Sequence, residues 1–143
     1  QGYRLLTEAE WEFVCRGGTQ TSRYFGETDR LLGVYAWYEK NSDRKSMQPV
    51  SAFRPNCLGL FGLYGNAYEW CMDKFEPYSS ADVLSDDTQF DDLPELHLFN
   101  EIVRGGSLDS YATNIRSAER RNPLRIDYDL VGFRVSRTYS LQP

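Results

Sequence analysis

Residues that break regular structure recur so often in this chain that long helices and long strands are excluded from most of it. Gly17-Gly18, Gly26, Gly33, Asn41-Ser42, Pro49, Pro55-Asn56 and the run Leu58-Gly-Leu-Phe-Gly-Leu-Tyr-Gly65 interrupt every window after residue 16 up to the middle of the chain. Glycine and proline punctuate backbone geometry, so this spacing leaves room only for elements of a turn or two joined by structured loops. One helix escapes the rule. Thr7 and Glu10 form a capping box, in which the hydroxyl accepts from the amide three residues on and the carboxylate reaches back. The helix predicted from Glu8 to Cys15 buries Trp11, Val14 and Cys15, is stapled by Leu6 against Trp11, and stops at Gly17-Gly18. Ile102-Val-Arg104 and Val131-Gly-Phe-Arg-Val-Ser-Arg137 are the best strand candidates, being short, β-branched and bounded by turn residues. They are expected to pair or to lie side by side.

A loop-rich chain needs bulky side chains to fill its interior, and 15% of these residues are aromatic. Trp11 and Trp70 read as buried. At 143 residues the expected organisation is one domain over 1–143, missing a piece upstream because Gln1-Gly-Tyr-Arg4 runs straight into a helix start. The stretch 73–101 carries nine acids against one base, Lys74, and reads as an acidic surface insertion. His97 within it is expected to be packed or surface-lying.

A net charge of −5 argues against a nucleic-acid partner, which would need clustered cations. Apolar runs of only a few residues argue against a membrane span. Cys15, Cys57 and Cys71 lack zinc-site spacing, and the chain holds one histidine. One disulfide with a free thiol is open to this set; three buried thiols in a reducing cytoplasm is the simpler expectation.

Longer motifs carry more. Leu6-Thr-Glu-Ala-Glu-Trp-Glu-Phe-Val-Cys-Arg-Gly-Gly18, Tyr35-Ala-Trp-Tyr38, Gln48-Pro-Val50, Gly59-Leu-Phe61, Gly65-Asn-Ala-Tyr-Glu-Trp-Cys-Met-Asp73, Arg104-Gly-Gly-Ser107, Arg116-Ser-Ala118 and Gly132-Phe-Arg-Val135 follow one another in order. This set resembles the formylglycine-generating enzyme (sulfatase-modifying factor) family, over the C-terminal half to two-thirds of its domain. The resemblance implies an irregular α+β, C-type-lectin-like fold with few short helices, small antiparallel sheets and long ordered loops.

The same resemblance implies a site and shows it altered. Active members place two copper-binding cysteines third and eighth after the serine of Arg-Gly-Gly-Ser, where this chain has Ser110 and Ile115. A hydroxyl and a hydrocarbon are no replacement for thiolates toward cuprous ion, so copper is not expected. Cys71 is expected to be a packed thiol. A structural calcium in the family corresponds to carbonyls of Gly65 and Ala67 and the carboxylate of Glu69, with oxygen donors of the type calcium takes. The upstream acidic or amide ligand is Gly62 here, which weakens that set.

Between Asp109 and Leu130 the residues resemble a recognition loop in composition. Asp109, Ser110, Tyr111, Asn114, Arg125 and Tyr128 are the candidates for ligand contact, while Arg116, Arg120 and Arg134 are expected to pair with Glu119, Asp127 and Asp129. The leading expectation is a non-catalytic module that binds a protein, peptide or small ligand, within a larger bacterial signalling or defence protein. The alternatives are an oxidoreductase of the same family with an atypical site, and a retroelement-diversified receptor.

Overall fold

The computed structural model describes residues 2–76, 78 and 101–138, and its longest helix begins where the Thr7-to-Glu10 spacing places it. Thr7 Oγ1 accepts from the Glu10 amide at 3.1 Å and the Glu10 carboxylate accepts from the Thr7 amide at 2.9 Å. Two amides that every helix start leaves unpaired are thereby satisfied. Helix α1 runs Glu8–Arg16 and ends on Gly17 in the left-handed region, φ 54°. Trp11 and Cys15 are buried as expected; Val14 is only half-buried, and Glu8 is buried instead. Leu6 joins Trp11 in the core, as the staple requires.

Strand β1 (Tyr3–Leu5) precedes the helix without any signal in the pattern and pairs antiparallel with β7 (Val135–Arg137). From residue 19 to 56 the breakers act as predicted. Helices α2 (Leu32–Tyr35) and α3 (Glu39–Ser42) are single turns, and β2 (Ala36–Trp37) is two residues long. It runs parallel to β3 (Tyr64–Gly65). Gly65 sits at φ 68°, and a Cβ there would lie 2.1 Å from the Trp37 carbonyl oxygen. Only glycine lets these two segments touch.

The main sheet has the order β5-β4-β6. Its centre is β4 (Tyr68–Lys74), flanked by antiparallel β5 (Glu101–Arg104) and parallel β6 (Val131–Phe133). The two strand candidates of the sequence therefore do not pair; both hydrogen-bond to β4, which the glycine-rich motif around it hides. Small sheets are present as expected, with both antiparallel and parallel pairings. Asp73, at one end of the acidic stretch, belongs to β4, and its carboxylate accepts from the Glu8 amide at the start of α1. Residues 79–100 of that stretch, His97 among them, lie outside the described residues.

Aromatic rings fill the loop-bounded interior. Tyr24 stacks on Tyr64 at 5.2 Å and Phe25 on Tyr35 at 4.5 Å. Cys15 and Cys71 are buried free thiols, but Cys57 is exposed, so the expectation of three buried thiols fails at that position. No described helix is long and apolar enough to cross a membrane.

Candidate functional site

The site is built on the turn that follows β5. Gly105 and Gly106 hold φ of 92° and 81°, and a Cβ on Gly105 would press on the Leu63 carbonyl and the Trp11 ring, each at 3.3 Å. The glycines let the chain reverse tightly over α1. Ser107, fully buried, donates its amide to Ser110 Oγ at 2.9 Å and its hydroxyl to Asp109. Tyr68 Oη lies 3.1 Å from the same Ser110 oxygen, and the Ser110 carbonyl accepts from Glu39. Ser110 is thus buried at the centre of a closed hydrogen-bond set, which corrects its place among the exposed contacts. Ile115 is fully buried in the apolar core. The pair that the family resemblance aligns with copper ligands does structural work here.

Arg104, at the end of β5, is 0% exposed. Its guanidinium meets Glu8 at 3.1 Å and Glu12, donates to the Ser117 and Ala118 carbonyls, and lies 5.3 Å over the Trp11 ring. Burying an unpaired charge is prohibitive, so a guanidinium at this depth requires partners at both terminal nitrogens, although its Nε stays without one among the described residues. Trp11 Nε1 in turn donates to Glu69 at 2.8 Å, and Arg134 grips Glu69 with two nitrogens at 3.0 and 2.8 Å. Arg120 grips Glu8 in the same two-pronged way and covers Tyr78 at 4.1 Å. Of the expected pairings, Arg116 with Glu119 is present. Arg120 and Arg134 instead choose Glu8 and Glu69. Asp127 caps the amide of Asp129, as Asn122 caps that of Leu124, because short side chains in 3-10 turns reach the backbone first.

This network bears directly on the two metals. Both Glu69 oxygens accept from nitrogen donors, and Arg134 Nη2 lies 3.9 Å from where a Cβ on Gly62 would stand. Of the set Gly65, Ala67 and Glu69, the one carboxylate is therefore held by a guanidinium, whose charge a calcium ion there would have to displace. For copper, Ser110 and Ile115 present one bonded hydroxyl and one hydrocarbon, and burial pushes the Cys15 thiol up to about 11 and the Cys71 thiol higher still. The described residues do not fit that ion.

Surface placement divides the remaining candidates. Asp109, Tyr111, Arg125 and Tyr128 are exposed and Asn114 is half-buried. The first part of the segment is tied down: buried Arg23 donates to the carbonyls of Ile115 at 2.7 Å and Ala112 at 2.6 Å, and Ser42 Oγ to that of Leu108. Tyr128, further on, stacks on Trp70 of β4 at 6.3 Å and 26°. Trp70 is not a core residue. It shares its register position with Phe133 of β6, which is 69% exposed, so Trp70, Phe133 and Tyr128 make an aromatic surface on the outer side of the sheet. Strand alternation supplies the missing signal: with Glu69 turned to Trp11, Trp70 must face the other way.

Comparison with known proteins agrees with this architecture. The model of the family described as "Sulfatase-modifying factor enzyme 1-like domain" matches residues 1–139. The chain is 33% identical over 133 residues to the formylglycine-generating enzyme of Streptomyces coelicolor, covering 83% of this chain and 41% of that protein. It is 31% identical over 139 residues to the serine/threonine-protein kinase pkn1 of Chlamydia pneumoniae, covering 95% of this chain and 21% of that one. The solved structure of Treponema denticola variable protein 1 superposes with a TM-score of 0.71 at 32% identity, over 94% of this chain and 47% of the other. The fold is the irregular α+β, C-type-lectin-like one, and the chain spans less than half the length of each of these relatives.

Proposed function

We propose that this chain, which belongs to the sulfatase-modifying factor enzyme 1-like domain family, is a non-catalytic recognition module that binds a protein or peptide. The observation that carries this reading is the aromatic surface of half-buried Trp70 with exposed Tyr128 and Phe133, beside a loop stiffened by the Asn122 and Asp127 caps. Large rigid rings give contact area with little loss of conformational freedom, and exposed Arg125, three residues before Tyr128 in the chain, adds a directional donor. Tyr111 and Asp109 form a second exposed group next to α3. The buried hydrogen bonds of Ser110 and the core packing of Ile115 support the absence of the family's oxidation chemistry.

The module belongs, on this reading, to a larger bacterial signalling protein, which the match to a kinase nearly five times the matched length supports. A variable receptor is the second reading, favoured by the likeness to a structure whose own name calls it a variable protein.

Two measurements decide. Oxygen uptake with a cysteine-containing peptide and cuprous ion should stay at the protein-free level; turnover abolished by a chelator would overturn the non-catalytic reading. Peptides selected from a displayed library on the wild-type chain should lose about tenfold or more in affinity for Tyr128→Ala, as for an exposed aromatic hot spot. Equal retention by both chains would remove the aromatic surface from the proposal.

A further inference from the structure

Between the loop after α1 and residues 116–118 lies an open depression of about 270 Å³, walled by Arg16, Gln20, Thr21, Ser22, Glu27 and Arg116. It is separate in its lining from the aromatic surface. Its two arginines keep donors in reserve. Arg16 uses Nε on Glu12 and Nη1 on the Thr21 carbonyl, and its Nη2 meets no acceptor among the described residues. Arg116 uses Nη2 on Glu119 and leaves Nε and Nη1 without partners among them. The carboxylates behind these arginines are shared: Glu12 also serves Arg104, and Glu119 also serves Arg121. Each carboxylate divided between two guanidiniums leaves positive charge on this wall, the reverse of a chain whose net charge is −5.

The other wall has the opposite sign. Ser22 donates both its amide and its hydroxyl to the Glu27 carboxylate, which fixes an anion in the lining and holds it below its ordinary range. A ligand suited to both walls carries a carboxylate for the guanidinium forks and a nitrogen donor a bond or two away for Glu27. We propose that this depression binds the carboxylate and adjacent N–H of an α-amino acid or of a peptide's C-terminal residue, with Arg16 and Arg116 on the carboxylate and Glu27 and Gln20 on the nitrogen. The volume suits one residue with a few of its waters, at about 30 Å³ per water.

Amide NMR of the isotope-labelled chain, titrated in parallel with glycine, N-acetylglycine, glycinamide and inorganic phosphate, tests this. Glycine or N-acetylglycine should shift the amides of 20–22 and 116–118 saturably, the tighter of the two distinguishing a free amino acid from a peptide terminus, and glycinamide should not. Arg116→Gln, at a half-exposed position that folding tolerates, should weaken that binding by about tenfold or more, the worth of a charge-assisted pair. Glu27→Gln should weaken glycine without weakening phosphate, which no longer meets that anion. The proposal fails if no probe shifts these amides saturably, if phosphate binds as tightly as the carboxylates, or if glycinamide matches glycine.

Discussion

Arg104→Met tests whether a buried guanidinium fastens the segment after β5 to helix α1. Methionine keeps much of the apolar stem but deletes the contacts to Glu8 and Glu12 and strips donors from the Ser117 and Ala118 carbonyls. A buried carbonyl left unpaired costs about 1–3 kcal/mol, and breaking a buried ion pair about 3–5 kcal/mol. These figures overlap, because one cause underlies both. Glu8 keeps Arg120 and Glu12 keeps Arg16, so neither carboxylate is stranded. The expected loss is therefore about 4 kcal/mol, within the range for one broken buried pair. Arg104→Lys preserves the charge but cannot span two carboxylates and two carbonyls, so about half of that loss is expected. Urea denaturation followed by tryptophan fluorescence measures both, with Trp11 beneath the guanidinium as the natural reporter. A loss under about 1 kcal/mol for Arg104→Met, the ordinary level of an inconsequential substitution, would refute the reasoning. So would equal losses for the two variants.

Native protein treated with a thiol reagent near neutral pH should modify Cys57 alone, since burial raises the thiols of Cys15 and Cys71, and denaturant should release all three; fast labelling of two thiols in the folded state would contradict this. Trp11→Ala should cost about 3–5 kcal/mol and Trp70→Ala about 1–2 kcal/mol, because only the first empties the core. Equal losses in chemical denaturation would return Trp70 to the interior. The Arg4 guanidinium holds the Glu10 carboxyl at about 2, below its ordinary 4.5, so its contribution is full above the ordinary value and disappears as pH falls through about 2. Both side chains are a third or more exposed, and solvent screening leaves about 1 kcal/mol. The stability gap between the wild type and Glu10→Gln should stay constant from neutral pH down to the ordinary carboxylate range and close on further acidification. A gap that persists in acid would assign Glu10 a role in capping alone.

How far the sequence reveals this molecule depends on how local each cause is. The capping box and the Gly17 stop are set within a few residues and stand where their spacing places them, and the breakers limit the helices that follow to single turns without marking where those fall. Strand β4 is different: its seven residues sit in a motif read for its glycine and its carboxylate, and only pairing with β5 and β6 on either side makes it extended. Missing β4 hides the aromatic surface, because Trp70 is outward only by virtue of Glu69 being inward. The arginine partners are hidden for a related reason. Glu8 lies 112 positions from Arg120 and Glu69 lies 65 from Arg134, separations over which charge pattern gives no guidance. Nearby Asp127 and Asp129 are the obvious partners in the chain and the wrong ones in space.

These distant pairs also give the family's signature a structural role. The glutamates of the first helix, the tryptophan between them, the glutamate after Gly65-Asn66, and the arginines of Arg-Gly-Gly-Ser and Gly-Phe-Arg form one connected set: Arg120, Glu8, Arg104 and Glu12, then through the Trp11 ring to Glu69 and Arg134. Loss of Arg104 strips donors from the Ser117 and Ala118 carbonyls, so these motifs bear on folding whatever the segment after Ser107 does. Ser110 and Ile115 face no such constraint toward a metal. They need only complete a hydrogen-bond set and fill a core position, and a hydroxyl and a hydrocarbon do both. The motifs thus report the scaffold, and the proposed recognition surface adds to their Trp70 and Phe133 one residue that they do not contain, Tyr128 stacked on Trp70.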